Sequence, residues 1–201
     1  MLREDRKRQI LDCAKKVFAS KGYHATGVAD IIDACGIARG TFYLYFESKR
    51  RVFEALLDEF LELLESRVHR IDETAGLPAI RTQLRANVMR VLGAFAENPE
   101  LSQMVLNEAV GLDKGFDEKL AEFYGGLIDL IDLSLVLGQQ VGIVRPLDTR
   151  VIAACILGSI KEIVLRVLHG RFERLSDLDA IVDEILSYHL RALFVRDLLD
   201  A

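Results

Sequence analysis

Several features that identify other classes of protein are scarce in this sequence. It has three cysteines, three prolines and no tryptophan in 201 residues. The cysteines, Cys13, Cys35 and Cys155, are odd in number and too widely spaced for a disulfide framework or a zinc site. We therefore expect reduced thiols, no metal and no bound cofactor. Long apolar runs are also missing: the longest uncharged stretch, residues 133–144, is twelve residues long, and a membrane span needs about 20.

The two ends of the chain carry opposite charge. The formal net charge is −5, which by itself argues against nucleic acid. Residues 1–51, however, hold eleven Lys and Arg against six Asp and Glu, whereas residues 52–201 hold fifteen against twenty-five. A basic N-terminal region followed by an acidic C-terminal region is expected when one domain contacts phosphates and the other does not. Because residues 1–9 are charged and no apolar run follows, no signal peptide is predicted, and we expect a cytoplasmic protein without membrane contact.

Helical periodicity extends along most of the chain, and no segment alternates with period two, so the sequence predicts an all-α fold. Thr26 and Ser48 are the expected N-caps of the second and fourth helices. Pro78 and Pro99 mark further helix starts. Helices with defined limits are predicted at about residues 4–21, 27–34, 38–46, 49–73, 116–140, 149–169 and 176–198.

The most informative stretch is residues 21–49, KGYHATGVADIIDACGIARGTFYLYFESK. It predicts two short helices joined by a glycine turn, with Phe42 and Phe46 in the core. The second short helix fits the major groove of double-stranded DNA. Thr26 and Lys49 begin helices, where backbone N–H groups favour phosphates. We therefore expect DNA contacts from Thr26, Arg39, Gly40, Thr41, Tyr43, Tyr45 and Lys49.

At these residues the chain resembles the TetR family of bacterial regulators. The resemblance rests on the pair Gly22-Tyr23, on Thr26, on the turn Gly36-Ile37 and on ARGTFYLYFESK, and it is specific over about residues 6–55. Gly27 and Ala38 depart from it, because the family often has a hydroxyl residue at the first position and serine at the second. Each departure removes a candidate phosphate or cap contact.

The resemblance implies two domains and a mechanism. Residues 1–50 would be a three-helix, helix-turn-helix DNA-binding domain, and residues 51–201 a helical domain for effector binding and dimerisation. The protein would be a homodimeric repressor that leaves a pseudo-palindromic operator when a small apolar ligand binds. Ligand entry would shift the helix that carries residues 56–73 and so change the separation of the two DNA-reading heads.

The C-terminal helices carry more apolar surface than one chain needs. Residues 151–168 are apolar nearly all round, which is typical of a helix buried on more than one side. With the last helix they are expected to form half of an intermolecular four-helix bundle. The interface is predicted at Ala154, Gly158, Ile181, Ile185 and Leu193; ordinary intramolecular core is the alternative.

Large flexible side chains in the middle helices are candidates for a ligand pocket, although stripes at helical spacing are core more often than pocket. A lipophilic effector, such as a fatty-acyl compound, a drug or an aromatic, would suit such a lining. The predicted pocket residues are Met89, Leu92, Phe95, Met104, Phe123, Tyr124 and Leu127.

Three alternatives stay open at this stage. An enzyme is disfavoured, because the four histidines are scattered and no HExxH motif or phosphate loop is present. A DNA-binding adaptor of the same fold could respond to a protein, or mark the chromosome, without a small ligand; a filled core in the middle domain would favour it, and an open apolar cavity would favour a sensor. Cys35 borders the turn before the reading helix, so its oxidation would disturb DNA binding.

Overall fold

The computed structural model describes residues 3–72, 74–108, 112–168 and 178–194. These residues are helical apart from short connections, and the all-α prediction is confirmed. Val144 and Phe194 form an isolated antiparallel bridge. The helices are α1 (Arg3–Lys21), α2 (Val28–Cys35), α3 (Arg39–Tyr43), α4 (Lys49–Arg67), α5 (Leu77–Glu97), α6 (Pro99–Gln103), a π-helical turn (Met104–Glu108), α7 (Lys114–Gln140), α8 (Thr149–Leu168) and α9 (Leu178–Leu193).

The chain packs as two compact units. The first contains residues 1–65 and 97–119, and the second contains residues 66–96 and 120–201. The functional boundary expected near residue 50 is a different kind of division and stays a prediction. Among the described helices, none combines the length and the hydrophobicity that a bilayer crossing requires.

Three predicted helix limits are wrong. The third helix ends at Tyr43 rather than at residue 46, and the expected limits at residues 169, 176 and 198 lie outside the described residues. Thr26 does not cap α2; the N-cap is Gly27, whose amide donates to the Asp30 carboxylate at 2.7 Å. α4 ends at Arg67 rather than near residue 73, because side chains of α5 bind the backbone of the segment that follows it. Ser48 is at the start of α4 as expected, and its hydroxyl oxygen accepts a hydrogen bond from the Arg51 amide at 3.3 Å.

A cluster of aromatic rings forms the centre of the first unit. Phe53 of α4 is fully buried and contacts three other rings, with centroid distances of 5.4 Å to Phe18, 4.9 Å to Tyr23 and 5.3 Å to Phe116. All three pairs have the edge-to-face geometry that aromatic quadrupoles favour. Phe53 therefore joins α1, the turn after α1, and the start of α7.

We expect Phe53→Ala to lower the free energy of unfolding by about 3–5 kcal/mol, because it leaves a cavity where four aromatic rings meet. The measurement is urea unfolding followed by circular dichroism. Leu44→Ala is the matched control, since Leu44 is 74% exposed, and a surface change of this kind stays within about 0.5 kcal/mol. Equal effects of the two substitutions would contradict the assigned core.

Candidate DNA interface and ligand cavity

A left-handed glycine sets the geometry between α2 and α3. Gly36 has φ +63° and ψ +39°, a conformation that residues with a Cβ rarely adopt. Its amide donates to Asp33, and the Ile37 amide donates to Ile32 at 3.3 Å. These bonds end α2, and α3 starts again at Arg39 after an extended Ala38. The arrangement is a helix-turn-helix, as the sequence predicts.

The predicted reading residues lie on and beside α3. Arg39, Gly40 and Tyr43 are exposed, and Thr41 and Tyr45 are half-exposed. Phe42 and Phe46 are buried as expected. The Arg39 guanidinium lies 5.8 Å from the centre of the Tyr43 ring. A positive charge and an aromatic ring therefore lie side by side on the exposed surface of α3.

Leu44 is a surface residue that the sequence analysis missed. Its side chain is the most exposed large apolar one among the described residues, at 74%. It lies between the two tyrosines, directly after α3, where it could touch a thymine methyl or a sugar. The one sequence signal was its position inside FYLYF, where a leucine is easily taken for core.

Thr26 and Lys49 differ from what their positions predict. Thr26 is 1% exposed, and its hydroxyl donates to the Gly22 carbonyl at 2.7 Å. The Lys49 ammonium donates to the carbonyls of Tyr23 and Thr26 at 2.7 Å each and to that of His24 at 3.3 Å. It also lies 4.4 Å from the Tyr23 ring centre. Both residues hold the turn between α1 and α2, and their expected phosphate contacts stay predictions that this geometry does not favour.

Asp30 holds the same turn from the other side. Its carboxylate accepts from the Gly27 amide and pairs with Lys21 at 2.6 Å. The Lys21 hydrogen bond, followed by that of the Gly27 amide, lowers the pKa of Asp30. The carboxylate is therefore charged at neutral pH, in the first turn of α2, where the helix dipole favours an acid.

The second unit encloses an apolar cavity of about 220 Å³. Its wall is mostly aliphatic, and Phe194 is the sole aromatic hydrocarbon side chain among the described lining residues. His69 and Arg70, both exposed, belong to the lining, so the cavity reaches the surface at the segment that follows α4. Representative wall residues are Leu84, Leu130, Leu135, Ile156, Ile160 and Leu186.

Few polar groups face this cavity, and the side chains of Asn87, Ser134 and His189 are hydrogen-bonded within the protein. The imidazole Nε2 of His189 lies 2.8 Å from the Ser159 hydroxyl. Burial lowers the pKa of His189, so the ring is neutral at pH 7. The Ser134 hydroxyl donates to the Leu130 carbonyl at 3.2 Å. A ligand inside would therefore meet hydrocarbon over most of its surface.

The structure places the predicted pocket residues in several different locations. Leu127 alone among them lines the cavity, and Leu92 and Phe95 line a separate void of about 10 Å³. Met104 is buried in the π-helical turn of the first unit. The others are not among the described lining residues; these are Met89, Phe123 and Tyr124.

The predicted dimer residues also separate into two groups. Ala154 and Gly158 are exposed on α8 and share one face with the exposed Val151 and Cys155. On α9, Tyr188 is 71% exposed. In contrast, the structure buries the other predicted residues inside the protomer, where α9 supplies core and cavity wall; these are Ile181, Ile185 and Leu193.

Comparisons with known proteins agree with this geometry. Residues 10–56 match the model of the bacterial regulatory proteins of the tetR family. The fatty acid metabolism regulator protein of Bacillus subtilis is 29% identical over 158 residues, which cover 78% of this chain and 80% of that protein. The nucleoid occlusion factor SlmA of Vibrio cholerae is 29% identical over 180 residues, covering 85% and 88%.

A solved structure extends the likeness to the whole fold. The transcriptional regulator FadR from Bacillus subtilis, in complex with stearoyl-CoA, superimposes with a TM-score of 0.67 at 28% identity, covering 90% of this chain and 95% of that one. Fold, motif and matches together define a helix-turn-helix transcriptional regulator. The helix-turn-helix region of the chain, residues 10–56, is that of the TetR family.

We expect Lys49→Met to destabilise the reading head, the part of the chain that contains α1, α2 and α3, rather than to remove a phosphate contact. Loss of a charged hydrogen-bond donor to backbone carbonyls should lower the free energy of unfolding by about 1.5–3 kcal/mol. DNA affinity should fall, while the slope of log affinity against log salt should stay unchanged. Urea unfolding and fluorescence anisotropy across a salt series measure the two effects.

Arg39→Ala is the control for this test, because its exposed side chain should leave the unfolding free energy within about 0.5 kcal/mol yet weaken DNA binding. A Lys49→Met protein of unchanged stability, whose salt slope is smaller by about 1, would instead identify Lys49 as a phosphate contact.

Proposed function

We propose that this regulator is a dimeric repressor that binds a pseudo-palindromic operator and leaves it when a fatty-acyl compound occupies the cavity of the second unit. The single observation that carries the proposal is that cavity, of about 220 Å³ and almost entirely aliphatic. A filled core in this position would have favoured an adaptor without a small ligand.

The residues that line the cavity indicate what kind of ligand it would bind. A cavity of about 150 Å³ lined by Leu, Ile and Phe is already large enough to stay dry and bind benzene. Branched aliphatic walls with few ring contacts favour a flexible hydrocarbon chain over a flat aromatic. A relative of the same fold is solved with stearoyl-CoA, which supports an acyl chain inside the cavity and a polar head group outside it.

The entrance suits such a head group. Arg70 is exposed at the rim, where a guanidinium can bind a phosphate or carboxylate with two parallel hydrogen bonds. His69 is held in place through its backbone, because the Asn87 amide group accepts from the His69 amide at 2.9 Å and donates to its carbonyl at 2.6 Å. A ligand at this rim would touch the segment that directly continues α4, and α4 begins with the Lys49 contacts.

The second copy is proposed to bind the exposed stripe of α8. Val151, Ala154, Cys155 and Gly158 follow the i, i+3, i+4, i+7 spacing of one helix face. Small residues at its centre allow two helices to approach closely, and Tyr188 would add a large aromatic surface nearby. This interface replaces the one that included the buried residues of α9.

The first experiment measures binding of the purified protein to DNA upstream of its own gene, by fluorescence anisotropy across a salt series, with random DNA as the control. We expect specific, dimer-stoichiometric binding with steep salt dependence. Stearoyl-CoA should then release the DNA, whereas coenzyme A alone should not. Tight stearoyl-CoA binding without any change in DNA affinity would contradict the proposed coupling.

A cavity-filling substitution tests the ligand site. Ile131→Trp places a large ring in the wall of the cavity and should abolish the response to stearoyl-CoA while leaving DNA binding intact. Glu122→Trp adds the same ring to an exposed position of the same helix and should respond normally. A full stearoyl-CoA response in Ile131→Trp would move the ligand site elsewhere.

Glycine substitutions test the dimer surface. A Cβ at Gly158 or at Gly126 meets nothing within 4 Å in the protomer, so Glu at either position should preserve the fold and even gain helix propensity. Gly158→Glu should halve the mass measured by light scattering and weaken operator binding, and Gly126→Glu should remain dimeric. A dimeric Gly158→Glu protein would exclude this face.

A further inference from the structure

Two cysteine side chains enter the seam between α1 and α2. The Cys13 thiol donates to the Ala34 carbonyl at 3.7 Å, and the Cys35 thiol donates to the Gln9 carbonyl at 3.9 Å. Gln9 and Cys13 are one turn apart on α1, and Ala34 and Cys35 are neighbours in the last turn of α2. Each thiol therefore contacts the backbone beside the other cysteine, and both sulfur atoms lie in one small region.

The two thiols differ in accessibility. Cys35 is buried, whereas Cys13 is half-buried. Burial, followed by a hydrogen bond with the Cys13 thiol, raises the pKa of the Cys35 thiol to about 12. Cys35 is therefore protonated at neutral pH, and Cys13 is the sulfur that a reagent from solvent reaches first.

We propose that Cys13 and Cys35 form a dithiol that a hydroperoxide converts into an intramolecular disulfide, and that this bond lowers the affinity of the reading head for DNA. The Cys13 sulfur attacks one peroxide oxygen and breaks the O–O bond, which leaves a sulfenic acid on Cys13. The Cys13 proton goes to the departing oxygen, which leaves as an alcohol, or as water when the oxidant is hydrogen peroxide. The Cys35 sulfur then displaces the hydroxyl group from Cys13, and the Cys35 proton leaves with it as water. Each sulfur loses one electron, and the peroxide gains two.

The position of Cys35 connects this bond to DNA reading. Cys35 is the last residue of α2, and Gly36 and Ala38 lead from it directly into α3. Its carbonyl already accepts a hydrogen bond from the Gln9 side chain at 3.1 Å. A disulfide fixes the sulfur–sulfur distance at about 2.05 Å, so it would tie the last turn of α2 covalently to α1 and restrict the turn that leads into α3.

Bond formation is tested on the unmodified full chain, because Cys155 belongs to the proposed dimer stripe and is left in place. The reduced protein is treated with hydrogen peroxide, and unreduced peptides are analysed by mass spectrometry, which follows the three cysteines separately. We expect the thiols of Cys13 and Cys35 to disappear together and a linked Cys13–Cys35 peptide pair to form within one chain. Sulfinic acid at Cys13 with a free Cys35, or a bond from either of these two cysteines to a second chain, would overturn the proposal.

The effect on DNA rests on the proposed function and is measured separately, by anisotropy before oxidation, after it, and after dithiothreitol. If the oxidised head keeps its binding geometry about a tenth of the time, affinity falls about tenfold, and reduction restores it. Cys13→Ser and Cys35→Ala, each with Cys155 left in place, should bind DNA equally well with and without peroxide. Cys35→Ala keeps a small apolar side chain at the buried position, so it guards against a folding defect.

The outcomes separate the two proposals. A disulfide that leaves DNA affinity unchanged would overturn the regulatory role while the function stands. Reduced protein that binds no DNA would contradict the proposed function itself, and the regulatory role with it.

Discussion

The contact on which the reading head depends is that of the Lys49 ammonium with the turn between α1 and α2. Three backbone carbonyls of residues 23–26 accept hydrogen bonds from this single charged group. Because Lys49 is the first residue of α4, this contact joins the start of α4 to the start of α2. The aromatic cluster around Phe53 lies one turn further along α4 and fixes the same helix to α1. A displacement of α4 along its axis would therefore pull on the turn that leads into the helix-turn-helix.

The sequence was sufficient to predict the reading helix because its signals are local. A short local pattern predicts the same local structure in most folds. Here the pattern consists of a turn glycine, a pair of phenylalanines four residues apart and a polar face between them. Thr26 and Lys49 lie in the same motif, yet their partners could not be predicted. Both are polar residues near helix starts, and this pattern is the same whether the side chain binds a phosphate or a carbonyl of its own chain. Only the path of the turn, which brings residues 23–26 over Lys49, distinguishes the two cases.

The cavity shows the opposite situation. Its wall is formed by residues from four helices and from the segments after α4 and α7, and each of them follows the same apolar spacing as ordinary core. Ile185 and Leu193 were expected at a dimer interface, and Met104 in the pocket, because periodicity identifies which face is apolar but not what covers it. A cavity is a volume that side chains fail to fill, so it depends on how distant helices pack. Ala154 and Gly158 were predicted at the interface because small residues four apart let two helices approach closely; the structure leaves both exposed, and their place in an interface stays a prediction.

Residues 68–72 take part in both steps of the proposed mechanism, ligand binding in the cavity and release of DNA. It has no helical hydrogen bonds of its own, and side chains of α5 satisfy its backbone instead: Asn87 binds His69, and Gln83 accepts from the Asp72 amide at 2.8 Å. Such a segment can shift as a body with α5 without breaking its own hydrogen bonds. It lines the cavity at one end and continues from α4 at the other, so a ligand that pushes on the wall acts on the chain directly after α4. For such a ligand to release DNA, it must bind the shifted arrangement more tightly than the unshifted one, and the proposed mechanism requires the cavity wall to supply that difference in binding.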